Sequence, residues 1–162
     1  MAQSMTDFAD ERRGVWHPTD CIVQVIDDRA DAEAAATELR AHGIPAADIL
    51  LLTGAEFVQL IEEIRRRIGA IKRLLVAANG SAEVMAQERY LTEARAGHCL
   101  VAVRIGPARP GEIGRDDRLL AIADVTAAHR AHTTTYYAGR GPRRLLPSPT
   151  RPDFLGVHAS IR

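Results

Sequence analysis

The sequence contains little cysteine, no excess of charge of either sign and no long apolar run. Its two cysteines, Cys21 and Cys99, cannot build a disulfide framework, and without a secretion signal we expect both to be reduced and packed in the core. Lys plus Arg number 21 and Asp plus Glu number 21, a balance that argues against a dedicated nucleic-acid-binding protein. No run of about 18 apolar residues occurs, so we expect no transmembrane helix.

The remaining composition is typical of one globular domain. A chain of 162 residues with 46% apolar and 26% charged residues can bury a core without a disulfide or a structural metal. The first residues, 1–13, are polar and contain no apolar segment of the kind found in signal peptides. We therefore expect a single-domain cytoplasmic protein.

The first half of the chain follows a strand–helix–strand pattern. Residues 21–26 are rich in β-branched side chains and predict a strand. Asp27 and Asp28 follow at the place where a helix cap belongs. Apolar spacing then predicts a helix over 29–42 and a second strand over 49–52.

The second half repeats this pattern after a helical insertion over 55–96. A third strand is predicted over 98–105 and a fourth over 133–137, and the helix between them begins at a cap formed by Asp116 or Asp117. The order is β-α-β, insertion, β-α-β. This order predicts an α+β ferredoxin-like fold with a four-stranded antiparallel sheet in the order 4-1-3-2.

Both ends of the chain are predicted to lie outside this domain, which then spans 20–139. Residues 1–19 contain few core positions, with Trp16 isolated among polar residues, and they predict an N-terminal arm. Residues 140–162 are rich in proline and predict an extended tail. Such ends are places where a protein partner could dock.

Part of the chain resembles a known family. The segments DDRADAEAA, starting at Asp27, and LRAHGIPAADI, starting at Leu39, are similar to the small bacterial general stress proteins of the heat-induced YflT type. Residues 90–102 resemble the entry of those proteins into their third strand. The resemblance covers roughly residues 20–105. It implies a ferredoxin-like fold and a stress-associated role, and it implies no catalytic residues.

Alternation along the strands predicts two different faces of the sheet. The internal repeat matches 21–25 with 99–103, so we expect the odd-numbered residues of both strands to share one apolar face under two helices. The other face is mixed, and the insertion helices, a second subunit or a ligand is expected to cover it. A ligand there would meet these side chains: Gln24, His98, Arg104, Tyr136 and Tyr137.

The histidines form no recognised metal or catalytic motif. His129 and His132 are three residues apart and His98 could lie near them, so a transition-metal site is conceivable. However, His42 and His129 are predicted at the C-terminal ends of helices, where an imidazole interacts favourably with the helix dipole, so no metal is needed to explain them. The sequence has no nucleophile elbow, no Ser-His-Asp pattern and no Walker motif. We therefore expect no catalytic residue, no resident metal and no cofactor.

The segment 57–78 combines an apolar stripe with a basic side. The basic side is either a solvated helix face or a surface for a partner, and neighbouring glutamates neutralise part of it, so we do not expect membrane binding. Its residues are Arg65, Arg66, Lys72 and Arg73.

Together these features favour a non-enzymatic, stress-associated binding or scaffold protein. It would act as a homo-oligomer through the mixed face of its sheet. The alternative is a small-ligand sensor that binds a nucleotide or an anionic metabolite on that face. An enzyme built on the same pocket ranks lowest.

Overall fold

A computed structural model describes residues 15–69, 82–106, 110–138 and 141–144, the last of these as backbone only. The fold is α+β, as predicted. In chain order its main elements are β1 (Cys21–Ile26), α1 (Arg29–Ala41), β2 (Ile49–Leu52), α2 (Gly54–Arg67), α3 (Ala82–Arg95), β3 (Cys99–Arg104), α4 (Arg115–Ala128), β4 (His132–Ala138) and β5 (Gly141–Arg144). Lys72, Arg73, the first 14 residues and the predicted tail beyond 144 lie outside the described residues.

Local sequence explains both ends of α1. The carboxylate of Asp28 accepts hydrogen bonds from the backbone N–H groups of Ala30 and Asp31, at 2.7 and 3.3 Å, and so satisfies donors that a helix start leaves unpaired. Gly43 follows the helix with a φ of +87°, a conformation that favours glycine. The predicted helix and both of its end signals are confirmed.

Helix α4 begins differently from the prediction. Its cap residue is Gly114, which offers no side-chain hydrogen bond. Asp116 and Asp117 lie inside the first turn, where their negative charge interacts favourably with the helix dipole.

Strand β1 lies at the centre of a five-stranded antiparallel sheet with the order β2-β3-β1-β4-β5. The sheet differs from the predicted one by its fifth strand, because residues 141–144 pair with β4 instead of continuing an extended tail. Pro142 fits there, since β5 is the outermost strand of the described sheet and an edge strand tolerates a missing N–H donor.

The pairing of β1 with β3 corrects the predicted sheet faces. Cys21 lies opposite Arg104 and Ile26 lies opposite Cys99. Directly opposite residues share a face, so odd positions of β1 lie with even positions of β3. The prediction that odd positions of both strands share a face is wrong, because it matched the strands position by position although they run antiparallel.

Helices cover both faces of the described sheet. Helices α1 and α4 pack on the face that carries Ile22, Ile26 and Val103. Helices α2 and α3 pack on the opposite face, over Val23 and Leu100. The helices of the predicted insertion therefore cover one of the two faces of the sheet. Within the described ranges, none of the helices is both long enough and apolar enough to cross a membrane.

The two cysteines are buried and unpaired, as predicted. They lie at opposite ends of the β1–β3 pair, and the register places them on opposite faces. Burial raises the pKa of the Cys21 thiol to about 12 and also raises the pKa of the Cys99 thiol. Both thiols are therefore core side chains whose protonated form is favoured.

Trp16 belongs to the core and not to an arm. Its side chain is fully buried, and its ring lies edge-on to Phe57 at 5.1 Å and to Tyr137 at 6.1 Å between centroids. Its backbone N–H donates a hydrogen bond of 2.9 Å to Oε1 of Gln87 in α3. The arm prediction is wrong for residues 15–18, which are buried, because an isolated aromatic residue in irregular backbone has no periodic signal.

Replacement of Trp16 by alanine tests this packing. Trp16→Ala is expected to lower the free energy of unfolding by about 3–5 kcal/mol, because it leaves a cavity among the aromatic rings. Trp16→Phe keeps an aromatic ring and is expected to lower the free energy of unfolding by less than Trp16→Ala does. Denaturant unfolding followed by circular dichroism measures both values. A cost under about 0.5 kcal/mol for Trp16→Ala, typical of a surface substitution, would contradict the core assignment.

Candidate metal centre

Three side chains meet where the end of β1 adjoins the beginnings of β3 and β4. Asp27 directly follows β1, His98 directly precedes β3, and His132 is the first residue of β4. Strand β1 lies between β3 and β4 and runs antiparallel to both, so these chain ends are neighbours. The pairing of Ile26 with Cys99 places Asp27 beside His98.

The ligand atoms of these residues are close enough to share one ion. Oδ1 of Asp27 is 2.7 Å from Nε2 of His132 and 3.6 Å from Nδ1 of His98. One ligand atom from each residue lies within 4.8 Å of the others. Metal–ligand bonds of about 2.0–2.1 Å in a tetrahedral zinc site separate neighbouring ligand atoms by about 3.3 Å. Small side-chain shifts would bring all three atoms to this spacing.

The cluster is open to solvent on one side. The side chain of Asp27 is 70% exposed, whereas that of His98 is 29% exposed. The hydrogen bond from His132 lowers the pKa of the Asp27 carboxyl, with a further contribution from the charge of that imidazole. The carboxylate form, which is the form that binds metals, is therefore favoured.

A second contact orients each imidazole. Nδ1 of His132 is 2.9 Å from Oγ1 of Thr133, which leaves Nε2 directed at Asp27. Nδ1 of His98 is 2.9 Å from Oε2 of Glu93, in the last turn of α3. The contact at Nδ1 of His132 is of the kind that holds imidazole rings in position in metal sites. Glu93, by contrast, contacts the same nitrogen of His98 that faces Asp27.

The backbone beside His132 is irregular. The register of the β1–β4 pair shifts between Val23 and Val25. Thr133 has a φ of 50°, which is rare for a β-branched residue. The hydroxyl of Tyr90 donates a 3.0 Å hydrogen bond to the Thr133 carbonyl and supports this conformation. Bulges and strained residues are concentrated at functional sites, where they redirect side chains.

The structure does not bring the predicted ligand-binding residues together on one face. Gln24 lies on the face covered by α1 and α4 and donates a hydrogen bond to Thr126. Arg104 is at the end of β3 far from His98 and forms an ion pair of 3.4 Å with Asp48. The predicted set mixes residues from two faces and two ends of the sheet.

The two tyrosines of β4 also separate, because adjacent strand residues alternate between faces. The hydroxyl of Tyr136 accepts a 3.0 Å hydrogen bond from Arg115. Tyr137 is buried beside Trp16, and burial raises its pKa. Of the five predicted residues, His98 alone belongs to the cluster.

Asp27 is the site residue that sequence reasoning missed, whereas His132 was considered for a metal site together with His98 and His129 and was set aside. Asp27 was predicted to cap α1, but Asp28 alone has that role. His132 was grouped with His129, whose Nε2 instead lies 2.8 Å from a carboxylate oxygen of Glu38. The antiparallel strand order was a usable signal, since it places the residue after β1 beside the residue before β3.

The predicted basic surface is partly used inside the domain. Arg65 forms an ion pair with Glu88 of α3 and so joins the two insertion helices. Arg66 is exposed. A role of this surface in binding a partner stays a prediction.

Comparison with known proteins assigns the chain to no family. No family model matches the sequence, and no curated protein and no solved structure is significantly similar to it. The geometry of the site therefore has to support any proposal of function. The resemblance to the general stress proteins stays a prediction.

Glycine substitution tests whether the backbone at Thr133 is strained. Thr133→Gly is expected to be at least about 1 kcal/mol less destabilising than Thr134→Gly, because glycine adopts the positive φ without steric cost. The control residue is the next one in the same strand and has no positive φ. Denaturant unfolding compares the two variants. Equal losses of stability would show that Thr133 stores no strain.

Proposed function

We propose that this protein is a non-catalytic binding domain that senses a divalent transition-metal ion at Asp27, His98 and His132. The observation that supports it is the convergence of two imidazole nitrogens and a carboxylate oxygen within 4.8 Å of one another. Imidazole and carboxylate ligands suit Zn²⁺ and similar ions. Mg²⁺ and Ca²⁺ prefer sets made of oxygen ligands only.

The charge of the cluster favours a cation over the nucleotide or anionic metabolite of the sequence-based alternative. The carboxylates of Asp27 and Glu93 both face His98. A phosphate group at this position would be repelled by two negative charges, whereas a divalent cation would be attracted. The sensor alternative is thus kept, with a different class of ligand.

Binding without turnover agrees with the state of the cysteines. Burial raises the pKa of both thiols, so little of the nucleophilic thiolate is available. The cluster itself consists of residues that bind metals well.

The architecture supports a ferredoxin-like core with additions. The proposal is supported by the order β2-β3-β1-β4 with α1 and α4 on one face, since two split β-α-β units would give a similar arrangement. Helices α2 and α3 would be an insertion, and β5 an added strand. A stress-associated homo-oligomer also stays a proposal, but its interface would lie elsewhere than on the faces of the described sheet, because helices cover both of them.

Calorimetric titration of the metal-free full chain with Zn²⁺ tests the proposal. We expect one ion per chain and a dissociation constant on the order of 1 μM. His132→Ala removes a ligand and is expected to weaken binding at least about 100-fold, a loss of about 2.8 kcal/mol. His129→Ala is the matched control, because this histidine contacts Glu38 outside the cluster, and its affinity should equal that of the wild type.

Circular dichroism establishes that both variants are folded. Wild-type affinity in His132→Ala, or an equal loss in the two variants, would contradict the proposed site.

A further inference from the structure

Glu93 brings a second carboxylate next to His98 from a different layer of the fold. Its Oε2 is 2.9 Å from Nδ1 of His98. The same nitrogen is 3.6 Å from Oδ1 of Asp27. A neutral imidazole nitrogen has at most one proton to donate, so it cannot satisfy two carboxylates equally. The ligand atoms within 4.8 Å of one another are those of Asp27, His98 and His132, so a shift of the Glu93 side chain would be needed for one cation to contact all four residues.

The position of Glu93 is determined by the turn that ends α3. Its backbone carbonyl accepts hydrogen bonds from the N–H groups of Ala96 and His98, at 3.1 and 3.2 Å. Gly97 completes the turn with a φ of 96°. Helix α2 packs closely against it at Gly54, where a Cβ atom would come within 2.9 Å of the His98 carbonyl oxygen. Glu93 and His98 are therefore held in a fixed relation, as preorganised ligands require.

Four ligands would balance the charge of the ion. Asp27 and Glu93 provide two negative charges, and the two imidazoles bind as neutral groups. A divalent ion bound by all four residues gives a site with no net charge.

We infer that Glu93 is the fourth ligand and that the site is a closed, four-coordinate centre for Zn²⁺ or an ion of similar preference. This inference rests on the proposed function. Two nitrogen and two oxygen ligands in a tetrahedral arrangement leave no open position, which is typical of structural sites. The ion would join the ends of three strands to the last turn of α3, and so would fasten the insertion layer to the sheet.

Cobalt(II) is a suitable probe, because four-coordinate Co²⁺ absorbs visible light much more strongly than six-coordinate Co²⁺. We expect the metal-free full chain to give the intense four-coordinate spectrum. Glu93→Gln is expected to shift the visible bands, because water would replace the carboxylate oxygen in the fourth position, and to lower the affinity about 10–100-fold. Glu88→Gln is the matched control, since it removes the same charge from the same helix at a residue that pairs with Arg65.

The variants distinguish the failure of this inference from that of the proposed function. If Glu93→Gln keeps the visible bands and the affinity of the wild type, Glu93 is not a ligand, while the proposed three-residue site still stands. A weak spectrum in the wild type that Glu93→Gln does not change would overturn the inference in the same way. If the wild type binds no Co²⁺ or Zn²⁺, both the inference and the proposed function fail.

Discussion

The position of β1 between two antiparallel neighbours determines both the core and the candidate metal centre. Residues directly opposite each other share a face, so this pairing decides which side chains enter each of the two cores. It also brings the end of β1 to the beginnings of β3 and β4. Asp27 and His132, 105 residues apart in the sequence, come into hydrogen-bond contact as a result.

The opposite end of the sheet also has a cluster of carboxylates, but there they pair with an arginine and have a purely structural role. Arg118 is 1% exposed and forms ion pairs of 2.7 Å with both Asp48 and Glu112. A guanidinium keeps its proton at all physiological pH values and has no free nitrogen lone pair, so Arg118 cannot act as a metal ligand. At the candidate centre the carboxylates face imidazoles, which accept a metal ion on a neutral nitrogen. The difference in chemistry separates the two clusters.

Local patterns in the sequence were sufficient to predict most helices, strands and the caps of α1, because these depend on neighbouring residues such as Asp28 and Gly43. Burial of Trp16 and formation of β5 depend on distant contacts that leave no periodic signal. Of the candidate site, His98 was predicted to bind a ligand, and His132 was considered with it only in a metal site that was set aside. His132 reaches the site because the register of the β1–β4 pair shifts and Thr133 has a positive φ. Residue propensities for helix or strand indicate neither of these features.

Nitrogen-15 NMR of the imidazole rings tests the central claim most directly. The spectra are recorded on the metal-free full chain before and after addition of one equivalent of Zn²⁺. We expect large changes at Nδ1 of His98 and Nε2 of His132, while His42 and His129 remain unchanged. Changes at other histidines, or none at one equivalent, would show that the meeting of these strand ends does not form a metal centre.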